Sequence, residues 1–244
     1  YKKANKFNTK FVNKYGIELN SIEEALIDLN NGKPIILLDN PGREGEGDFI
    51  ISASKVSVEW MNFILLNARG AFIAVFMSEE QANYFDLPAQ VNPNDNYESS
   101  KTNFRLTCDT AYGHSGCSAH ERAQTANILG GIFKKYDGRF HYNDQESNER
   151  KSTPKDLVRP GHIVPIVANP KGLHARQGHT ESGVELMRMA GIDPPVAVDM
   201  EILAPDGSMG SVNYIYNEIA KPNDIKVISV GKICEKLGIE EKNY

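Results

Sequence analysis

The chain has 244 residues, of which 40% are hydrophobic and 24% are charged, and its formal net charge is -5 at pH 7. This composition is typical of a globular protein with a substantial core. The negative charge argues against a nucleic-acid partner, because duplex binding usually needs a clustered basic face. No apolar run reaches the roughly 20 residues that cross a bilayer, so no membrane association is predicted. Three cysteines without metal-ligand spacing predict reduced thiols and a cytoplasmic location.

Residues 1–20 lack a clear periodicity and are predicted to form an arm before a single domain at 21–244. Ser21 and Glu24 have capping-box spacing, which predicts a helix that ends at Asn31 and Gly32. Buried strands are predicted at 34–38, 49–53, 71–77, 103–109, 162–168, 196–203 and 224–229, and further helices at 56–70, 78–85, 118–133, 180–191 and 230–238. Residues 92–101 are turn-rich, and the charged segment 135–155 is predicted to be an inserted surface loop. The alternation predicts an α/β (α+β) fold, with one mixed sheet flanked by helices.

An acidic turn joins the first two predicted strands, in the sequence LLDNPGREGEGDFI at 37–50. It carries three glycines, one arginine and four carboxylates: Asp39, Glu44, Glu46 and Asp48. These carboxylates repel one another, and a divalent cation such as Mg²⁺ would relieve the repulsion, since Mg²⁺ prefers carboxylate and water oxygens. The alternative is a solvated acidic turn, which the glycines make less attractive because they allow close backbone approach to a ligand.

A second segment, ARQGHTESGVELM at 175–187, places a histidine and an arginine at the start of a predicted helix. Thr180 is the predicted N-cap, and the free N–H groups of a first helical turn attract anions. Arg176 would add a guanidinium fork for a phosphate. The segment therefore predicts a phosphate site with His179 beside it as a ligand or acid–base group. The alternative is a capped helix with a surface histidine and arginine.

A third segment, GHSGCSAHER at 113–122, is a turn of small residues that leads into a helix with Ser118 as N-cap and Glu121 at the capping-box position. Such a turn can bind an anion or a substrate hydroxyl group, although histidines such as His114 and His120 are more often surface residues than ligands. The signatures of P-loops, dinucleotide-binding folds, α/β-hydrolases and zinc proteases are absent from the sequence. Nucleotide hydrolysis, dinucleotide redox chemistry and zinc proteolysis are therefore disfavoured.

Together the three segments resemble the 3,4-dihydroxy-2-butanone 4-phosphate synthase family of riboflavin biosynthesis, over roughly residues 20–235. The family motif D-D-x-x-R-E-N-E-G-D corresponds to residues 39–48, and T-T-G-[IV]-S-A-x-[DE]-R corresponds to 114–122. R-P-G-H corresponds to 159–162, and R-x-G-H-T-E to 176–181. Each motif alone is weak, but their combination is specific.

The resemblance implies a lyase that converts D-ribulose 5-phosphate into 3,4-dihydroxy-2-butanone 4-phosphate and formate, with Mg²⁺ or Mn²⁺ and two ions per site. It implies a homodimer with shared active sites. The implied metal ligands are Glu44 and His179. The implied catalytic residues are Glu44, Glu46, Asp48, His179 and Glu201. The implied substrate-binding residues are Arg43, Asp48, Ser118, Arg176, Gln177, Gly178, Thr180 and Glu201.

Several residues depart from the family pattern around the expected site. They are Asn40 for the second acid, Gly45 for asparagine, Ile73 or Ala74 for a cysteine, Ser100 to Thr102 for H-G-T, and His114 and Ser115 for two threonines. Three hypotheses follow: a divergent synthase, a paralogue with altered chemistry or another sugar-phosphate substrate, and a non-catalytic protein that binds metal and sugar phosphate.

Overall fold

The computed structural model describes residues 15–40, 45–70, 72–134 and 149–242. Within these ranges the α-helices are α1 (Ile22–Asn30), α2 (Val58–Ala68), α3 (Glu79–Tyr84), α4 (Ala119–Leu129), α5 (His179–Met189), α6 (Val212–Tyr214) and α7 (Val230–Leu237). The strands are β1 (Ile35–Leu38), β2 (Gly47–Ser52), β3 (Ile73–Met77), β4 (Asn103–Phe104), β5 (Cys108–Thr110), β6 (Ile132–Lys134), β7 (Glu149–Lys151), β8 (Leu157–Val167), β9 (Ala197–Glu201) and β10 (Val227–Ser229). A π-helical turn at Ile215–Ala220 continues α6.

A mixed sheet organises the described residues, in the strand order β10-β1-β2-β9-β3-β8-β4, with β5 also paired to β8. The pairs β1–β10 and β3–β8 are parallel, and the pairs of β9 with β2 and β3 are antiparallel. Strands β6 and β7 form a separate antiparallel ribbon. Strands β1, β2 and β3 are buried along their whole length, as expected when helices cover both faces of a sheet.

The alternation of side chains along each strand divides the core into two layers. One layer contains Phe49 and Val75 with Met61 of α2. The other contains Ile50 and Ala74 with residues of α1, α5 and α7. This second face carries the candidate site.

Local sequence signals fix several helix ends as predicted. Ser21 and Glu24 form both hydrogen bonds of a capping box at the start of α1, and Ser118 and Glu121 do the same for α4. Ser78 accepts a hydrogen bond from the backbone N–H of Gln81 at the start of α3. Each cap satisfies N–H groups that the first turn would otherwise leave without partners.

Two predicted elements differ in the structure. The strand predicted at 103–109 is divided into β4 and β5. The ladder with β8 ends after Phe104 because Arg105 faces Pro165, which has no N–H to return a hydrogen bond. The helix predicted at 118–133 ends at Leu129, because Gly131 adopts a φ of +90° and turns the chain into β6.

The predicted loop at 135–155 is wrong at its C-terminal end, while residues 135–148 lie outside the described residues. Glu149–Lys151 form β7 against β6, and a short 3₁₀ turn follows at Pro154–Asp156. The guanidinium of Arg150 lies 4.2 Å from the ring centroid of Phe133 and pairs with Asp156. Long-range contacts of this kind leave no periodic signal in a charged sequence.

The predicted N-terminal arm is described only from Tyr15 to Asn20. Ile17 and Leu19 are buried in the core, and the backbone N–H of Asn20 donates to the carbonyl of Val227 at 2.8 Å.

In the described part of the chain, every helix is too short or too polar to span a bilayer.

Candidate active site

Strand pairing brings three acidic residues to one face of the sheet. In the β2–β9 register Asp48 lies opposite Glu201, and Ile50 lies opposite Asp199. On the other side of β9, Ala74 of β3 lies opposite Asp199. Because residues opposite one another in a ladder share a face, the side chains of Asp48, Asp199 and Glu201 lie on one surface.

His179 reaches this surface from the first turn of α5. Its ring Nε2 lies 3.2 Å from the carbonyl oxygen of Leu37, and its Nδ1 lies 3.5 Å from Oδ2 of Asp48. A carbonyl oxygen only accepts, so Nε2 carries the proton in this contact. In the neutral ring, Nδ1 then presents a lone pair to the acidic residues, which is the arrangement of a metal-binding histidine.

The predicted N-cap of this helix is wrong by two residues. α5 begins at His179, and its N-cap is Gly178, with an extended backbone and no side-chain cap bond. Thr180 lies inside the first turn and is buried. The sequence suggested Thr180 because threonine is a strong capping residue, whereas glycine also caps helices but leaves a weaker signal.

Glu46, Asp48 and His179 each offer one ligand atom, and these atoms all lie within 4.8 Å of one another. Two carboxylates and one imidazole suit Mg²⁺ or Mn²⁺, which favour oxygen ligands and accept imidazole. Glu44 and Arg43, the other residues implied at this position, lie outside the described residues. The structure therefore adds Glu46 and Asp48 to the residues that fit a cation.

Arg176 is fixed beside the acidic surface by three contacts. Its guanidinium donates to Oγ1 of Thr180 at 3.3 Å, to Glu181 at 3.2 Å and to Oγ1 of Thr102 at 3.3 Å. Glu181 is buried and also accepts the backbone N–H of Asn169. Arg176 and Thr180 are therefore neighbours, and this pair presents one charged and one neutral donor to a ligand.

Most of these side chains line one cavity of about 310 Å³. Six predicted site residues line it: Glu46, Asp48, Arg176, His179, Thr180 and Glu201. The remaining polar lining comes from Asp199, Glu98 and Thr102, and Ala74 contributes a small side chain. The apolar walls are formed by Phe72, Phe76, Phe104 and Ile166. Of the two candidates for the family cysteine position, Ala74 is the one on the cavity wall.

Three predicted substrate-binding residues lie off the cavity lining. Gln177 is fully buried, and its side chain donates to the carbonyl of Glu240 at 2.8 Å and accepts from the N–H of Lys242 at 2.9 Å. Gly178 serves as the N-cap of α5. Ser118 caps α4, with its hydroxyl bonded to the carboxylate of Glu121 at 2.7 Å. Gln177 therefore connects the site segment to the C-terminal residues.

Asp199 is a site residue that sequence reasoning missed. Its side chain is 5% exposed. Burial raises its pKa well above the ordinary range, and the nearby carboxyls of Asp48, Glu201 and Glu46 raise it further. An aspartate in the apolar run VAVDMEIL was the available signal, since acids are rarely buried without a partner.

The loop before β4 forms the wall opposite the strands. Glu98 accepts backbone hydrogen bonds from Ser100 at 2.8 Å and Thr102 at 2.6 Å. Burial alone would raise the pKa of Glu98, but these hydrogen bonds outweigh it and lower the pKa to about 2. Glu98 thus holds Thr102 in place for its contact with Arg176.

The R-P-G-H segment places a paired histidine outside the cavity. His162 Nδ1 lies 2.7 Å from Oδ2 of buried Asp109, while 51% of the His162 side chain is exposed. Gly161 is required beside it, because a Cβ there would lie 2.2 Å from the backbone carbon of Cys108. The sequence motif pointed to His162, but no role was assigned to it.

Comparison with known proteins agrees with this geometry. The family model for 3,4-dihydroxy-2-butanone 4-phosphate synthase matches residues 23–236. The riboflavin biosynthesis protein RibBA of Parabacteroides distasonis is 39% identical over 216 residues, which cover 88% of this chain and 48% of the relative. The RibBA of Chlamydia trachomatis is 35% identical over 211 residues, which cover 86% of this chain and 44% of the relative. The chain thus spans about half the length of the curated relatives it matches.

Solved structures give the same result. The crystal structure of 3,4-dihydroxy-2-butanone 4-phosphate synthase of Candida albicans is 33% identical, with a TM-score of 0.72, and the match covers 90% of this chain and 98% of that one. A synthase crystallised in complex with two magnesium ions is 29% identical, with a TM-score of 0.75, and the match covers 90% of this chain and 97% of that one. The predicted fold class and family resemblance are confirmed. The chain belongs to the 3,4-dihydroxy-2-butanone 4-phosphate synthase family.

Proposed function

We propose that the chain is a lyase that converts D-ribulose 5-phosphate into 3,4-dihydroxy-2-butanone 4-phosphate and formate. The observation that carries the proposal is the meeting of Glu46, Asp48 and His179 with Arg176 and Thr180 in one cavity. The relatives that bear the name of this synthase support it. A cytoplasmic location and a sugar-phosphate substrate belong to the same proposal.

Mg²⁺ or Mn²⁺ is the proposed cofactor, with two ions per site, and the relative crystallised in complex with two magnesium ions supports a divalent cation. Glu46, Asp48 and His179 would hold an ion, with Glu44 as a further ligand. A bound divalent cation stabilises the negative charge that develops on vicinal oxygens when a ketose enolises. The Leu37 carbonyl fixes the His179 tautomer that this role needs.

The residues of the chain have distinct proposed tasks. Arg176 and Thr180 bind the phosphate, because the guanidinium and hydroxyl lie together at the cavity edge. One carboxylate among Glu46, Asp48 and Glu201 removes the carbon-bound proton next to the ketone. Arg43 is expected to contact the substrate. Water lost in the later rearrangement is consumed when formate leaves, so the atoms of the pentose phosphate equal those of the two products.

A homodimer with shared active sites is part of the proposal. Residues 114–122 and 159–162 match family motifs, yet within the described part of the chain none of them lines the cavity. His162 is nonetheless held in one orientation by Asp109 and remains half exposed. A second subunit is the arrangement by which these segments would reach a substrate.

The main alternative is a paralogue that enolises a sugar phosphate without releasing formate. It is motivated by Gly45, Lys101, His114 and Ser115, which replace family residues, and by Ala74 on the cavity wall. Enolisation needs a cation and one base, whereas the later rearrangement needs additional donors. A non-catalytic binding protein is the second alternative.

One experiment separates these functions. The purified protein is incubated with D-ribulose 5-phosphate and Mg²⁺ in D₂O, and formate release and deuterium exchange at C3 are followed by NMR. The proposed function predicts both formate and exchange, with both lost in His179→Ala and retained in Asp206→Asn, a change at an exposed turn. Exchange without formate identifies the paralogue, and metal binding without either identifies a binding protein.

A further inference from the structure

Asp199 lies at the inner end of the row of acids on the cavity wall. It lies opposite Ile50 on one side and Ala74 on the other. The next residue of β9 on the same face towards the acidic turn is Glu201, and the next in the other direction is Ala197. Asp199 is therefore the acid of the row that lies farthest from the acidic turn, at the boundary between the polar and the apolar part of the face.

The methyl side chain of Ala74 leaves room at this point of the wall. A larger side chain on β3 would lie against the carboxyl group, because directly opposite Cβ atoms in a ladder are about 5 Å apart. Phe76 and Ile166 close the apolar side of the same cavity. The carboxyl group of Asp199 is thus held at the cavity by strands rather than by a loop.

The carboxyl group is incompletely satisfied. The side chain of Asp199 makes a hydrogen bond with that of Asp48, but Oδ1 of Asp199 is buried and has no hydrogen-bond partner. A buried polar atom without a partner costs about 1–3 kcal/mol, so a native site that keeps one commonly pairs it with a ligand or water.

The cationic groups of the cavity are engaged elsewhere. Arg176 donates to Thr102, Thr180 and Glu181. His179 uses Nε2 on Leu37 and directs Nδ1 towards Asp48. Asp199 also lies outside the group of ligand atoms that meet at one cation position. Among the described residues, the cationic side chains of the cavity are thus directed at other partners, which leaves the donor to a neutral group of the ligand.

We propose that Asp199 is a specificity-determining residue that accepts a hydrogen bond from a hydroxyl group of the sugar chain. The proposal rests on the proposed function, since it takes a phosphorylated polyhydroxy ketone as the ligand. With the phosphate at Arg176 and Thr180, the carbon chain extends along the acid row. A ligand with the phosphate but without hydroxyl groups gains nothing from Asp199, so this residue selects for the sugar and not for the anion.

The test compares ligand affinity in Asp199→Val, Asp199→Ala and Asp199→Asn by calorimetry, with and without Mg²⁺. Val and Ala remove the acceptor, and Ala excludes a steric explanation. The dissociation constant for D-ribulose 5-phosphate is expected to rise about 10-fold in both. That corresponds to about 1.4 kcal/mol, within the range for one unsatisfied hydrogen bond. Asp199→Asn keeps a carbonyl acceptor and is expected to lose less than about 3-fold.

Two controls define the result. Inorganic phosphate should bind within about 2-fold of wild type in all three variants, because it contacts only the basic side of the cavity. Met200→Leu changes the neighbouring residue, which is buried in the core layer on the other face of the sheet, and it should leave both ligands unaffected. Melting temperatures of all variants report whether the fold is intact.

The outcomes are distinguishable from those that test the enzyme activity. Wild-type affinity for D-ribulose 5-phosphate in Val and Ala variants overturns the Asp199 assignment, whether or not formate is released. Equal losses for phosphate and sugar phosphate, or a loss confined to Mg²⁺ affinity, also overturn it. If the wild-type protein does not bind D-ribulose 5-phosphate, the proposed function fails. A panel of pentose and tetrose phosphates then replaces D-ribulose 5-phosphate as the ligand. In that case the Asp199 assignment is supported only if the variants lose affinity for a sugar phosphate and keep their affinity for inorganic phosphate.

Discussion

Two buried aspartates in this molecule have opposite environments. Asp156 is 1% exposed and Asp199 is 5% exposed, so burial alone penalises both charges. Asp156 accepts two hydrogen bonds from Arg150, at 2.7 and 2.9 Å, one from Tyr112, and one from the N–H of Thr153 at 2.7 Å. Asp199 lies among other carboxyls, and its Oδ1 has no partner.

Both aspartates are buried, so the difference between their pKa values comes from the groups around each carboxyl. Burial raises the pKa of Asp156, but the hydrogen bonds from Arg150, Tyr112 and Thr153 outweigh it and lower the pKa to about 2. Burial and the carboxyls of Asp48, Glu201 and Glu46 all raise the pKa of Asp199. The satisfied acid lies in a structural junction, and the unsatisfied acid lies in the cavity. A buried acid with an unsatisfied oxygen is a feature of functional sites, where stability is sacrificed for ligand binding.

The largest effect is expected from removing the satisfied acid. Asp156→Ala leaves Arg150, Tyr112 and Thr153 without their acceptor, and should destabilise the protein by about 3 kcal/mol, the low end for breaking a buried pair. The low end is appropriate because the Arg150 side chain is 27% exposed and can be rehydrated. Denaturant unfolding measures the change. Glu23→Gln, which breaks an exposed pair with Lys236, is the control and should cost less than about 0.5 kcal/mol.

Acid should weaken the wild-type protein through the same aspartate. Its folded pKa of about 2 lies below the ordinary value of 3.8, so the contribution of Asp156 is present above pH 3.8 and is lost as the pH falls towards 2. Asp156→Ala should therefore flatten this part of the stability profile. An unchanged profile would show that other carboxylates dominate acid unfolding.

A smaller effect is expected from Gln177, which the sequence placed at the substrate. Gln177→Leu removes two hydrogen bonds to the backbone of Glu240 and Lys242. The expected cost is about 2 kcal/mol, since each backbone group loses about 1 kcal/mol of net bonding. This should lower the melting temperature by about 4–8 °C. Phosphate affinity should change less than sugar-phosphate turnover, because Gln177 acts by positioning the segment. A large loss of ligand affinity without a loss of stability would instead place Gln177 in contact with the substrate.

The elements of the fold were accessible to sequence reasoning where a local signal exists. The capping box of Ser21 and Glu24 and the apolar run Ile35–Leu38 predicted α1 and β1. β7 was missed because its support comes from Arg150 stacking on Phe133 and pairing with Asp156, and not from its own pattern. Strand order was also inaccessible, since the pairing of β10 beside β1 joins residues nearly 200 positions apart.

The site residues also fall into those with a local sequence signal and those that depend on long-range contacts. Asp48, His179 and Glu201 were predicted because they belong to motifs, and the structure brings them to one cavity. The roles of Gln177 and Asp199 depend on register and on the C-terminal residues, which a motif does not specify. Ala74 was one of two candidates, and only the direction of side chains on β3 decides between it and Ile73.

A stabilising effect is expected from the unsatisfied acid. Asp199→Asn removes an ionisable group whose folded pKa is raised by burial and by the neighbouring carboxyls, and should stabilise the metal-free protein at pH 7. The folded state holds a proton that the unfolded state releases above pH 3.8, so wild-type stability should fall as the pH rises. The advantage of the variant should therefore be larger at pH 8 than at pH 5. Denaturant unfolding in chelator measures it, and a destabilised variant at pH 7 would mean that Asp199 has a favourable partner.

The smallest effect is expected at Ser118, which caps α4 and was predicted to bind substrate. Its hydroxyl donates to Glu121 at 2.7 Å and accepts the N–H of Glu121 at 3.2 Å, so both of its bonding directions are occupied. Glu121 is a second satisfied acid: burial raises its pKa, but hydrogen bonds from Ser118, Gly116 and His114 lower it to about 2. Ser118→Ala should cost about 1 kcal/mol of stability, as for other N-cap deletions. Affinity for the sugar phosphate should stay within about 2-fold of wild type, because the cap bonds leave the hydroxyl no donor for a ligand.

Ser118→Thr, which keeps the cap, is the matched control. A 10-fold loss of affinity in Ser118→Ala with the Thr variant unaffected would place this loop at a substrate, and since Ser118 lies off the cavity of its own subunit, a second copy of the chain would have to supply it.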